Sequence, residues 1–288
     1  MVRCRQEREI FGKTSSKFII FVRPIVFIPI KQSIMLYRQL AIVCFFCLTM
    51  TYCMAQSSAY EQAIIQGENA ANNRQYAQAV QYYAQAIKIK PSNPEPYLKQ
   101  MECAIQKRDL TIFKRSIQQL EGLEYPLILD VYLTYAQLAK KQRLYNDGLA
   151  MLDKAELKHK KTKSILLHRA ELYQKLNKST EVIKTLNETL DLYPNSLDVW
   201  HQLATLYMQV NKKKSIDCFK KLLVEESYKD IALSSLGLLY TQMYEEDKDK
   251  KRSNLVQALS YYNQYYKRHP KDQETRNLIE NIRILLEA

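Results

Sequence analysis

Histidines and paired carboxylates are the side chains of this sequence whose types suit acid–base or metal chemistry. The four histidines are His159, His168, His201 and His269, and none has a partner at metal-ligand spacing. The acid pairs Glu225-Glu226 and Glu245-Glu246 are adjacent, so on a helix their carboxylates point about 100° apart. Phosphate-loop, G-x-S-x-G and H-E-x-x-H motifs are absent from the sequence. We therefore predict no catalytic residue, no metal and no cofactor.

The elements that carry these side chains are predicted to be amphipathic helices. In residues 200–219 the apolar and small residues of the first half share one helix face at steps of three and four: Trp200, Leu203, Ala204 and Tyr207. The polar stretch 211–214 (NKKK) predicts a turn, and Ser215 and Phe219 share a face of a second helix. The unit is a helical hairpin with the small Ala204 at the crossing of its two helices.

This hairpin pattern recurs along the chain. Leu166, Ala170 and Tyr173 precede Trp200, Ala204 and Tyr207 by 34 residues, and Leu233, Gly237 and Tyr240 follow them by 33. The pattern resembles the tetratricopeptide repeat family, with its 34-residue period and W-x2-L-G-x2-Y motif. The resemblance implies an all-α fold, a right-handed α-solenoid of stacked helix-turn-helix repeats with a C-terminal capping helix. The content of only 5 Gly and 8 Pro in 288 residues also favours helices.

Six repeats are predicted, at 60–93, 94–127, 129–162, 163–196, 197–228 and 230–272, followed by a capping helix at 273–288. The positions that match the repeat pattern are Gly67, Ala79, Tyr83, Ala86, Pro91, Ala136, Gly148, Ala155, Ala170, Tyr173, Pro194, Trp200, Leu203, Ala204, Tyr207, Phe219, Gly237, Tyr240, Ala258, Tyr262 and Pro270.

Two of these repeats depart from the pattern. In the second repeat, Phe113, Ile117 and Leu120 replace the small residues of the second helix, so its helices are expected to sit farther apart, if they form at all. In the sixth repeat, the charged residues 245–254 (EEDKDKKRSN) are extra, and we interpret them as a loop between the two helices.

The segment before the repeats has the pattern of a secretory signal. Residues 35–39 supply a positive end, Leu40–Met50 an apolar centre, and residues 53–55 a small-residue site before Gln56. We therefore predict a signal peptide at 35–55, export to the periplasm or cell envelope, and a mature chain 56–288. Residues 1–34, including the broken apolar stretch 18–30, are interpreted as a disordered, mis-assigned extension before a true start at Met35. Two alternatives are a retained membrane anchor and lipid attachment at Cys53.

Most of the cysteines precede the predicted mature chain. Of the six cysteines, Cys103 and Cys218 lie in the predicted mature chain, more than three repeats apart, so we expect two free, buried thiols.

The net charge of +13 is spread along the chain, and no RNA or DNA motif accompanies it. Nucleic acid is therefore not an expected partner, and membrane contact is expected only through residues 40–55 if they are retained.

The resemblance also implies a function. Members of the family bind a protein or peptide segment in a concave groove that first helices line, which implies a non-catalytic interaction scaffold. The positions that match this groove are Glu68, Glu102, Gln137, Glu171, His201 and Met208. The Lys/Asn/Arg clamp that some members use for a C-terminal carboxylate is missing, because Ile64 and Glu68 stand at its first-repeat positions. An enzyme on a helical solenoid is the remote alternative.

Overall fold

A computed structural model describes residues 30–247, 249 and 251–287. The greater part of the extension expected at 1–34 lies outside these residues. The chain divides into two compact units, Met1–Ser58 and Ala59–Ala288. Helix α1 contributes residues to both units, and each unit is described separately below.

Every regular element in the described part of the chain is an α-helix. The helices are α1 (Ile30–Asn72), α2 (Tyr76–Ile89), α3 (Glu95–Lys107), α4 (Leu110–Gly122), α5 (Leu129–Lys141), α6 (Tyr145–His159), α7 (Lys163–Lys175), α8 (Ser179–Leu192), α9 (Leu197–Val210), α10 (Lys212–Leu222), α11 (Glu226–Glu246), α12 (Arg252–Arg268) and α13 (Gln273–Glu287).

In the second unit, helices that are consecutive in sequence pack against each other, and α5 also contacts α7. This is the packing of an α-solenoid, in which each hairpin contacts only its neighbours. The expected all-α solenoid is confirmed. We call α3, α5, α7, α9, α11 and residues 59–72 of α1 the first helices, and α2, α4, α6, α8, α10 and α12 the second helices. Helix α13 packs on α12 and covers the end of the last hairpin.

Small residues lie where the helices of each hairpin cross. Ala79, Ala136, Ala155, Ala204 and Ala258 are all fully or almost fully buried. Their small volume lets the two backbones approach, and large side chains fill the space on either side. The hydroxyl of Ser215 on α10 donates to the Ala204 carbonyl on α9 at 2.7 Å, which joins the two helices of the fifth hairpin directly.

The turns inside the first four hairpins share one backbone conformation. Arg74, Arg108, Arg143 and Asn177 have positive φ, at 59°, 56°, 63° and 56°. Each follows a first helix, and the next amide donates back to a carbonyl of that helix's last turn, as Asp109 does to Ala104 at 2.8 Å. The four residues occupy equivalent places in four hairpins, since they recur at 34, 35 and 34 residues.

The second hairpin is formed, although its sequence departs from the repeat pattern and left its formation in doubt. Helices α3 and α4 pack together, and Phe113, Ile117 and Leu120 are fully buried. Asp109 caps α4, its carboxylate accepting from the Ile112 amide at 3.1 Å. Large apolar residues therefore fill the volume that the repeat pattern assigns to small ones.

The loop expected at 245–254 is shorter than predicted. Helix α11 continues to Glu246 and α12 begins at Arg252, so half of these ten residues belong to the two helices of the sixth hairpin. The turn expected at 211–214 is also shorter than predicted. Asn211 alone separates α9 from α10, and its side chain accepts from the Lys214 amide at 3.1 Å as the cap of α10.

At two positions of the solenoid, glycine is required because a larger residue would collide with a tyrosine ring. A Cβ at Gly67 would lie 2.4 Å from the Tyr83 ring, and a Cβ at Gly237 would lie 2.7 Å from the Tyr262 ring. Both rings are buried between helices and cannot move aside without displacing their neighbours.

Gly237→Ala is expected to lower the free energy of unfolding by about 1–3 kcal/mol, because the added methyl overfills the contact with Tyr262. Gly122→Ala is the matched control, since its Cβ would meet no atom within 4 Å. There the higher helix propensity of alanine should raise stability by up to about 1 kcal/mol. Urea denaturation of both variants checks the prediction, and equal effects would contradict it.

In the first unit, the described residues form the beginning of α1. Its exposed apolar side chains include Leu40, Val43, Phe46 and Leu48. Residues 39–58 carry no charge, and a helix of that length spans about 30 Å, close to the hydrocarbon thickness of a bilayer. The stretch Arg38–Asn72 is long and apolar enough to cross a membrane by length and composition, a test that a signal sequence also passes.

The two cysteines of the solenoid are free and buried, as expected. Cys103 packs in the cluster around Tyr60 and Tyr83, and Cys218 packs in the cluster around Leu203 and Phe219. Burial raises the pKa of the Cys218 thiol to about 11 and also raises the pKa of the Cys103 thiol. Both side chains are therefore held as neutral thiols.

Candidate protein-binding surface

The first helices carry the six residues that the sequence assigned to a groove. Glu68 lies on α1, Glu102 on α3, Gln137 on α5 and Glu171 on α7, while His201 and Met208 lie on α9. None of them is fully buried. We call this set, with the residues that contact it on the first helices, the first-helix surface.

Polar pairs join successive first helices across this surface. Glu68 forms an ion pair with Lys99 of α3 at 2.6 Å. The side chains of Gln137 on α5 and His168 on α7 are 2.8 Å apart, and Glu171 forms an ion pair with Lys140. Each pair is 31 residues apart in sequence, which places its members on neighbouring first helices. Half of the candidate positions therefore hold the repeats together as well as facing solvent.

The other three candidates, His201, Met208 and Glu102, form fewer ion pairs and hydrogen bonds with neighbouring helices. The His201 ring lies 5.6 Å from the Tyr228 ring, centroid to centroid, between α9 and α11. Met208 is half-buried and packs at the margin of the core, whereas Glu102 is exposed and, within the described residues, has no ion pair. The surface combines a carboxylate, an imidazole and a thioether, which suits contact with a mixed polar and apolar segment.

The repeat positions named from the sequence mostly lie in the core. Ala79, Tyr83, Ala86, Ala170, Leu203 and Phe219 are buried. Trp200 is only half-buried, and its indole N–H donates to the Pro194 carbonyl at 2.9 Å. Pro91, Pro194 and Pro270 are exposed after second helices. These side chains position the first helices and do not form part of the surface.

A buried guanidinium beside the surface was missed by sequence reasoning. The Arg169 side chain on α7 is 11% exposed and contacts Asp153 at 2.9 Å and Glu156 at 2.7 Å, both on α6. Lys161 reaches Glu156 at 3.2 Å and also pairs with Glu188. Burial alone would raise the pKa of Glu156, but hydrogen bonds from Arg169 and Lys161 outweigh it and lower that pKa. This cluster joins the third hairpin to the fourth.

Glu156 is expected to give the chain an acid-sensitive contribution to stability. Because its folded pKa is lowered, the contribution is complete above the ordinary glutamate pKa of about 4.3 and is lost as pH falls through the folded value. Glu156→Gln should lower stability at neutral pH by about 1–3 kcal/mol and lessen the fall of stability in acid. Thermal unfolding from neutral to acid pH checks this, and parallel curves for both proteins would contradict it.

The histidines and acid pairs are not brought together. His159 lies against Tyr132, with ring centroids 5.5 Å apart, and His269 lies 2.9 Å from Asp230. Among the residues that the structure describes, no group of three or more His, Cys, Asp or Glu side chains is placed to hold a metal ion.

Several solved structures resemble this chain at low sequence identity. The Pseudomonas aeruginosa pilF structure is 15% identical, with 79% of this chain and 99% of that chain covered and a TM-score of 0.42. YrrB, described as a TPR protein with an unusual peptide-binding site, is 14% identical, with coverages of 69% and 97% and a TM-score of 0.44. A tetratricopeptide repeat protein from Parabacteroides merdae is 16% identical, with coverages of 80% and 74% and a TM-score of 0.41.

No protein-family model and no curated protein matches the chain. The solenoid assignment rests on the consecutive packing of its own helices.

Proposed function

We propose that this chain is a non-catalytic scaffold that binds a protein or peptide segment on its first-helix surface. The observation that carries the proposal is the set of side-chain pairs that join α1 to α3 and α5 to α7, which brings candidate residues of neighbouring first helices together on one face. Peptide segments that bind helical repeats contact several repeats at once, so a surface of this kind suits an extended partner. The six-repeat division and the individual groove residues belong to this proposal.

The proposal is tested with a combined variant on two adjacent first helices, Glu171→Gln, His201→Asn and Met208→Gln. The matched control changes three exposed residues of second helices, Lys184→Gln, Gln118→Asn and Val256→Gln. Both proteins serve as bait for chemical crosslinking and mass spectrometry in host extract, after circular dichroism has verified their helicity. We expect the first variant to lose the partners that the control retains. Equal recovery by both variants, with helicity retained, would refute binding on this surface.

We further propose that residues 35–55 direct the chain into or across a membrane, which makes it a protein of the cell envelope or periplasm. In the first candidate, the segment is a signal peptide removed before Gln56. In the second candidate, the solenoid is tethered to the membrane, either by a retained α1 or by a lipid on Cys53. The uncharged helical stretch 39–58 gives a retained α1 enough length to span a bilayer.

The N-terminus of the native protein distinguishes these candidates. Mass spectrometry of separated soluble and membrane fractions should find a chain beginning at Gln56 in the soluble fraction if the signal is removed. A chain that begins at Met1 or Met35, or at a lipidated Cys53, in the membrane fraction supports the tether. An intact N-terminus in the soluble fraction would refute both.

A further inference from the structure

The hairpin-turn edge is the side of the solenoid formed by the turns inside the first four hairpins, together with the last residues of their first helices. Its four positive-φ residues occupy equivalent places, as described above. The second and third turns are in contact, since the Gln142 side-chain amide donates to the Arg108 carbonyl at 2.6 Å. The edge therefore presents one repeating row of side chains.

This row is positively charged and its charges are not neutralised. Six exposed cations on it have no ion pair within the described part of the chain: Arg74, Arg108, Lys141, Arg143, Lys175 and Lys178. Of the carboxylates at these turns, Asp109 pairs with Lys107 and Asp147 pairs with Lys114, while Glu181, at the place equivalent to Asp147, forms no ion pair within the described residues.

Several other charges of the solenoid are paired between repeats. Lys154 and Glu121 form an ion pair at 2.6 Å, and Lys163 and Asp198 form one at 2.8 Å. Unneutralised like charges in a row repel each other, so this row of cations lowers stability.

The backbone conformation of the three arginines in this row also lowers the stability of the fold. Arg74, Arg108 and Arg143 adopt the left-handed conformation, which is strained for a residue with a long side chain. Asn177 at the equivalent place in the fourth hairpin shows that a residue better suited to this conformation fits the turn. The fold therefore does not require arginine at these three positions, and its guanidinium groups are available to a ligand.

A small cleft between the third and fourth turns adds an apolar element. It has a volume of about 400 Å³ and is lined by Arg143, Leu144, Tyr145, Asn146, Asp147 and Leu176. Leu144 is 44% exposed there, although it is a large apolar side chain. A ligand that matches this edge carries several negative charges and at least one apolar side chain.

We propose that the hairpin-turn edge binds an acidic segment of a partner protein, with its carboxylates on the arginine and lysine row and an aliphatic side chain in the Leu144–Leu176 cleft. The inference rests on the proposed protein-binding function but assigns a second surface to it. Base stacking is not supported, because Tyr76 and Tyr145, the tyrosines beside these turns, are half-buried. One exposed leucine is also too little apolar area to insert into a membrane.

The test measures binding of a fluorescent synthetic peptide of Glu-Glu-Leu units to the full chain in mild detergent, by anisotropy. The edge variant carries Arg74→Gln, Arg108→Gln and Arg143→Gln. The matched control carries Lys158→Gln, Lys221→Gln and Lys267→Gln, which removes three exposed charges from the ends of second helices at the opposite side. We expect the edge variant to bind about tenfold more weakly, and the control to bind within about twofold of the native chain.

A Gln-Gln-Leu peptide should bind much more weakly than the acidic one, and added salt should weaken the acidic peptide. Absence of binding by the acidic peptide, or equal losses in both variants, would overturn the inference. Tighter binding of a DNA duplex, or of phosphatidylserine vesicles after the detergent is removed, with the same sensitivity to the edge variant, would overturn the choice of an acidic protein segment. The first-helix variant should bind the acidic peptide normally, so the proposals for the two surfaces are tested independently.

Discussion

Phe113→Ala is expected to lower the free energy of unfolding by about 3–5 kcal/mol. The Phe113 ring is fully buried in α4 and packs edge to face on the Tyr135 ring of the next hairpin, with centroids 5.5 Å apart. Truncation leaves a cavity at the junction of the second and third hairpins and removes the aromatic contact. Urea denaturation followed by circular dichroism measures the change.

The control for this substitution is Leu157→Ala on α6, where the side chain is 87% exposed. Since that leucine buries little surface, its truncation should change stability by less than about 0.5 kcal/mol. A similar small effect for Phe113→Ala would mean that the second hairpin contributes little to the solenoid, contrary to the packing of α3, α4 and α5.

Ala204→Trp is expected to lower the free energy of unfolding by about 3 kcal/mol or more, because an indole cannot fit where α9 and α10 cross. Ala204 is fully buried, and its carbonyl accepts a hydrogen bond from Ser215 across the crossing. The helices would have to separate, which also breaks that bond. Thermal unfolding checks the effect. Ala150→Trp, at an exposed position of α6, should leave the melting temperature nearly unchanged.

The helical hairpins could be predicted because the information for them is local. Ala170, Ala204 and Gly237 mark helix crossings 34 and 33 residues apart, and the apolar residues around them recur with the helical period. The second hairpin shows where pattern matching falls short. Phe113 and Ile117 do not match the family pattern, yet they fill the same volume, and a core accepts large apolar residues when the total volume fits.

The loop at 245–254 was predicted too long because charge was taken as a sign of a loop. The sequence EEDKDKKRSN has no proline or glycine, and glutamate, lysine and arginine are good helix formers. Helices α11 and α12 therefore extend into this stretch from both sides.

Contacts between repeats were not predictable from the pattern alone. The Glu68–Lys99 and Lys140–Glu171 ion pairs depend on which faces of neighbouring first helices meet. The only signal in the sequence is the recurrence of opposite charges 31 residues apart. The strained backbone of Arg74, Arg108 and Arg143 was also missed, because arginine is not a residue that marks the left-handed conformation.

The two buried thiols can report how the solenoid opens. Cys103 lies in the cluster nearest the first hairpin, and Cys218 lies in the cluster around the fifth. In a variant whose other four cysteines are serine, a thiol reagent modifies each one only when its own cluster is exposed. Equal labelling rates would mean that the stack opens in one cooperative step, whereas unequal rates would give the free energy of opening for each end separately.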